Sequence, residues 1–236
     1  MAVNNKFIYS TDDLMSLILE DNPSYKTSSL YNKIEDMENN GKITRVGKNK
    51  YILSGRRTFA YELESYNAKK VSRIIGNNYS PDFEYVIYEI TSTLNQFVNH
   101  LINKNAVILE VDKFFLEHVF DTLKKAGLRS VILNPSKEEI FRYLEDGSII
   151  LLPLISRSPI DKKKHKITIE KLAVDMICST TLNCFYEGAE LPNIFEDILL
   201  NYKIKYDTLK NYAKRRHALE KLKVLAPKEL EEIFND

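Results

Sequence analysis

The sequence predicts a mixed α/β protein in two parts: a small basic unit at the N-terminus, then an α/β sandwich with a helical C-terminal end. Three observations carry this. A helical stripe of Leu30, Ile34 and Met37 runs into Gly41 and then two strand-like runs around Gly47-Lys48-Asn49. From Phe83 onward, strand-like and helix-like segments alternate, the pattern of an α/β fold. After Thr168 the apolar periodicity is helical throughout. A helix followed at once by a basic hairpin is the ending of a winged helix-turn-helix. The expected division is therefore a winged helix over 1–57, a connector over 58–80 and an α/β domain over 81–236.

Taken in order, Phe7-Ile8-Tyr9 reads as a short first strand, and Ser10 or Thr11 as the cap of a helix bearing Leu14, Leu17 and Ile18. Asp21-Asn22-Pro23-Ser24 breaks it. Thr27 or Ser28 can cap the second helix, because a hydroxyl there satisfies backbone N–H groups that a first turn leaves orphaned. Gly41 suits the left-handed position that closes it. The hairpin follows, with Ile43, Thr44 and Val46 on one side and Tyr51, Ile52 and Leu53 on the other.

Gly76 to Pro81 is a turn cluster. Beyond it, strands are expected at 85–90, 106–111, 130–133 and 148–152. The helices between them begin at Ser92 (with Leu94, Phe97, Val98 and Leu101), around Phe114 (with Phe115, Val119, Phe120 and Leu123, stopped by Gly127) and at Ser136. Ser136 with Glu138 and Glu139 is an N-cap followed by acids that suit the helix dipole. This spacing implies a sheet that is at least partly parallel. Lys162-Lys163-Lys164-His165-Lys166 reads as a solvated basic loop. Thr168 caps a helix bearing Ile169, Leu172, Ala173, Met176 and Ile177, on which Lys171 and Asp175 read as a surface pair contributing about 0.3 kcal/mol. Further helices follow from Phe195, from Tyr206 and from Pro227.

Composition limits the function classes. With 236 residues, 44% hydrophobic and 28% charged, the chain has the make-up of a globular protein with a real core. Its net charge of +1 makes any nucleic-acid surface a local patch. No apolar run reaches the roughly 20 residues of a membrane span, and Met1 to Lys6 does not read as a signal peptide. Cys178 and Cys184 read as buried free thiols in a reducing cytoplasm.

The local patch exists. Between Ser24 and Arg57 there are eight basic residues against three acidic ones. In a winged helix-turn-helix the second helix enters the major groove and the wing touches phosphates. The groove-facing candidates are Ser28, Ser29, Tyr31, Asn32 and Lys33, and the phosphate-contact candidates are Lys26, Arg45, Lys48 and Lys50. The competing expectation is a winged helix used only for protein contacts.

Enzyme signals are weak. There is no P-loop, GxGxxG or GxSxG, and the four histidines show no metal-ligand spacing. Asp82-Phe83-Glu84 with Glu110 resembles the carboxylate set of nucleotidyltransferases, which hold two metal ions for phosphoryl transfer. The Gly-Ser turn of those enzymes is missing, so the three carboxylates read as surface residues. No catalytic residue, metal or cofactor is expected.

The segments KITRVGKNKYIL, LLPLISRSPI, TIEKLAVDMI and YAKRR together resemble the AbiEi-type antitoxins, over most of the chain. In that family a winged helix is joined to a C-terminal α/β domain. The resemblance implies a cytoplasmic bacterial antitoxin of an abortive-infection system that represses its own promoter through inverted repeats in double-stranded DNA. Winged-helix repressors often bind such DNA as homodimers, although no residue here fixes a dimer surface. The antitoxin would neutralise a nucleotidyltransferase-type toxin through the C-terminal domain. Unlike the longer, more basic members, this chain is nearly neutral.

Overall fold

The computed structural model describes residues 7–53 and 55–235; Met1 to Lys6, which the sequence reads as no signal peptide, lie outside them. The N-terminal unit opens with Tyr9, whose backbone pairs with Tyr51 in an isolated bridge. Helix α1 (Thr11–Asp21) starts in a capping box: the Ser10 hydroxyl accepts from Asp13 N–H, and the Asp13 carboxylate accepts from Ser10 N–H. Helix α2 (Thr27–Asn39) has Lys26 at its N-cap and no side-chain cap, so neither Thr27 nor Ser28 plays the expected role; Thr27 is already helical. Gly41 takes φ +66°, the left-handed conformation expected of it. Strands β1 (Ile43–Gly47) and β2 (Lys50–Leu53) form an antiparallel hairpin.

Leu14, Ile18, Leu30, Ile34, Ile43 and Tyr51 make a small separate core. Opposite residues of an antiparallel pair point the same way, so Ile43 and Tyr51 define one face of the hairpin and Val46 and Ile52 the other. That second face is buried in the main core of the protein. The hairpin is thus packed on both sides.

The stretch 58–80, expected as a connector, belongs to the α/β body. Tyr61 is buried, donating its hydroxyl to Ile87 O and accepting from Ile167 N–H. Helix α3 (Tyr66–Asn78), capped by Ser65, buries Ala68, Val71 and Ile75 against the sheet. These three apolar residues, at i, i+3 and i+7, are a helical stripe masked in the sequence by the basic residues around them.

Strand β3 (Tyr85–Glu89) pairs antiparallel with β4 (Ala106–Val111). Between them, helix α4 (Ile90–Leu94) is shorter than expected. The Asn95 side chain accepts from Ile102 N–H and folds the chain back, leaving Leu101 exposed. Helix α5 (Leu116–Lys125) buries Val119 and Leu123, but Phe114 and Phe115 sit before it on an exposed turn rather than on its apolar face. Strand β5 (Val131–Leu133), helix α6 (Lys137–Tyr143, with the expected N-cap at Ser136, which forms a capping box with Glu139) and strand β6 (Ser148–Pro153) follow. The sheet order is β3-β4-β6-β5, with β6 parallel to both β4 and β5. The mixed sheet is as expected.

A short hairpin, β7 (Ile160–Asp161) and β8 (Lys166–Ile167), carries the exposed lysine loop. Helices α7 (Ile169–Cys178), α8 (Leu191–Asn201), α9 (Tyr206–Arg215), α10 (Leu219–Leu225) and α11 (Glu231–Asn235) complete the chain. Alternation along the strands divides the core. Ile87, Val107, Leu109 and Ile149 face α3 and α5, whereas Val86, Tyr88, Ile108 and Ile150 face the C-terminal helices. Among the described residues no helix is long and apolar enough to cross a membrane.

Candidate functional site

Two regions qualify. The first is the outer surface of the N-terminal unit. Ser28, Tyr31 and Asn32 are exposed on α2, on the side away from Leu30 and Ile34, and Lys26 is exposed just before it. Ser29 and Lys33 are half-buried at the margins of that face, Lys33 beside Leu17 and Met37 in the groove against α1. Lys48 is exposed at the hairpin turn, and Arg45 is exposed with its Nε donating to Gly47 O. Lys50 is placed differently. It donates to Glu232 O at 3.2 Å, on α11, and so is turned into the body of the protein.

The second region lies where α7 and α9 cross the ends of β4 and β6. Helix α7 is mostly apolar, and Ile169 to Met176 are all buried, Glu170, Lys171 and Asp175 included. Lys171 is fully withdrawn from solvent and Asp175 nearly so; they are no surface pair. Glu110 is also buried, because β4 is covered on both faces; the reading of it as a surface carboxylate is wrong. Burying a charge is costly unless it is paired and hydrogen-bonded. Lys171 Nζ meets Glu110 at 2.8 Å and also bonds Asp175. Asp175 accepts in addition from Arg216 and, at 2.9 Å, from the Tyr212 hydroxyl. The Tyr88 hydroxyl donates to Glu110 at 3.3 Å.

The electrostatics follow from this packing. Burial pushes the Glu110 carboxyl above the usual range, with the Lys171 charge opposing the rise. For Lys171, burial acts to lower the value, but Glu110 and Asp175 outweigh it and hold the ammonium charged above its ordinary range. Burial and the Asp175 charge push the Tyr212 hydroxyl up to about 12. Beside this network opens a cleft of about 190 Å³, walled by Lys171, Asp175, Arg216, Thr180, Asn134 and Pro153. Three segments distant in sequence, 151–160, 168–177 and 212–216, meet around it.

The carboxylate trio considered for metal-assisted chemistry does not assemble. Asp82 and Glu84 are exposed, Glu84 paired with Lys162 at 3.3 Å, while Glu110 is held by Lys171. Among the described residues, no three His, Cys, Asp or Glu side chains are grouped to hold a metal ion. Cys178 and Cys184 are free thiols, half-buried rather than buried.

The buried network is what sequence reasoning missed. Its signal was present: a lysine and an aspartate four apart in a helix whose other positions are almost all apolar.

No curated protein and no solved structure matches this chain. Residues 29–232, from within α2 to α11, match the model of DUF6577, a family of unknown function, and the chain belongs to that family.

Proposed function

We propose that the chain is a DNA-binding regulator of antitoxin type, with its N-terminal unit acting as a winged helix-turn-helix. One observation carries the reading: Ser28, Tyr31 and Asn32 stand exposed on the second helix, and exposed Arg45 and Lys48 project from the hairpin that follows. In this reading α2 reads base edges in the major groove while the hairpin turn contacts phosphates. Lys26 adds a phosphate contact at the start of the helix, where backbone N–H groups also favour anions. Two copies on an inverted repeat follow from the same logic, since dimeric readers of this class bind two half-sites.

The resemblance to AbiEi-type antitoxins extends the proposal. The α/β domain then neutralises a nucleotidyltransferase-type toxin, and the regulator represses its own promoter from the cytoplasm. No catalytic step is assigned to the chain itself.

The test is binding to the duplex immediately upstream of its own gene, at two salt concentrations, against a scrambled duplex of equal length. Tight, sequence-dependent binding supports the regulator. Equal binding to both duplexes, erased by salt, overturns it in favour of a protein-interaction scaffold, a reading to which the docking of Lys50 on α11 lends weight.

A further inference from the structure

The cleft beside Lys171 lies at the carboxyl ends of β4, β5 and β6, the position where open α/β sheets receive ligands. At about 190 Å³ it is smaller than the roughly 300–1,000 Å³ typical of drug-sized ligands, so it admits only a group of a few heavy atoms.

The charges select the kind of group. Lys171 Nζ already sits between Glu110 and Asp175, where a metal ion would have to sit, and matches both carboxylates. A cation therefore has no vacant ligands here. Arg216 is in the opposite condition. Its Nη1 serves both Asp175 and the Tyr212 hydroxyl, and its Nε and Nη2 find no acceptor among the described residues. Asp175 and Tyr212 hold the guanidinium through Nη1 at the wall of the cleft. An arginine edge of this kind matches an oxyanion with two parallel hydrogen bonds. The hydroxyl-bearing Thr180 and the amide-bearing Asn134 line the same space.

We infer that this cleft binds a small oxyanion, a phosphate or a carboxylate group, on the free edge of Arg216. The site is separate from the DNA-binding reading and stands or falls without it.

The test uses the full chain and titrates inorganic phosphate, and separately acetate, against chloride at constant ionic strength, following calorimetry and thermal melting. The expected result is saturable binding of one of the two anions and a melting temperature that rises with occupancy. Which anion binds names the ligand chemistry. Arg216→Lys keeps the charge opposite Asp175 but loses the fork, so binding weakens about tenfold or more, equivalent to about 1.4 kcal/mol. Thr180→Val, at an exposed position on the rim, keeps the fold intact should the arginine variant fail to fold, and weakens binding a few-fold. Heat and melting curves indistinguishable from chloride for both anions would overturn the inference, as would saturable binding unchanged in whichever of the two variants folds.

Discussion

Lys171 Nζ on α7 lies 2.8 Å from Glu110 Oε2 on β4, and both side chains are almost wholly shielded from water. The pair ties a C-terminal helix to the middle of the sheet, with Asp175 as its third member. Such a group need not stabilise the fold more than an apolar cluster would, but removing one member together with its hydrogen bonds is costly.

That asymmetry gives the first prediction. Lys171→Met leaves Glu110 and Asp175 buried with one cation, Arg216, in place of two, and should destabilise the fold by about 3–5 kcal/mol. Glu110→Gln keeps the shape and an acceptor for Tyr88, and burial already disfavours the charged carboxyl it replaces. Its cost should be about 1 kcal/mol. Urea denaturation of the two variants checks the order, and an E110Q loss equal to that of K171M would refute it.

The same network sets a pH dependence. In the folded chain Lys171 is held protonated above its ordinary 10.5, by Glu110 and Asp175 against the opposing effect of burial. Burial likewise holds Tyr88 protonated well above 10.0. From about pH 10 upward the unfolded chain therefore releases protons that the folded chain keeps, and stability falls as pH rises. These contributions are complete below about pH 10. Urea midpoints measured between about pH 8 and pH 11 should decline toward the alkaline end, less steeply in Tyr88→Phe. A midpoint that is flat or rising over that range would contradict the assignment.

Legibility in the sequence followed local rules. The capping boxes at Ser10 and Ser136, the Thr168 cap and the left-handed Gly41 are short-range devices, and each forms where its residues predict. Tertiary contacts were hidden. Nothing within the strand AVILEV shows that Glu110 meets a lysine 61 positions later, and Arg216 reaches Asp175 only because α9 packs across α7. The apolar surroundings of Glu110 and Lys171 did signal burial, and a surface reading of them ignored it. Lys50 shows the limit differently: its place in a basic hairpin predicts solvent, whereas the C-terminal helix that takes it up lies 182 positions away.

Gly41 offers a local test of the N-terminal unit. An added Cβ would meet nothing within 4 Å, so Gly41→Ala is not opposed by crowding. The backbone is the obstacle, since φ +66° is costly for any residue with a Cβ, by about 1 kcal/mol. The substitution should lower stability by that amount, and a gain would show that the turn relaxes.

Under the proposed DNA-binding function, the placement of the basic residues gives them different roles. Lys48 stands free at the hairpin turn and Arg45 is exposed beside it, whereas Lys50 is committed to Glu232. Each lysine that neutralises a phosphate steepens the salt dependence of binding by about one unit of log–log slope. Lys48→Glu should therefore weaken binding to every duplex and lower the slope by about one. Lys50→Glu should change the slope little, because that ammonium faces the protein. Asn32→Ala, on the exposed face of α2, should instead alter the preferred sequence and leave the slope unchanged, since a base-edge contact displaces no counterion. Affinity measured against salt for the three variants distinguishes the roles. If Lys50→Glu lowered the slope as much as Lys48→Glu, Lys50 would have to leave α11 when DNA binds, and the hairpin would move with it.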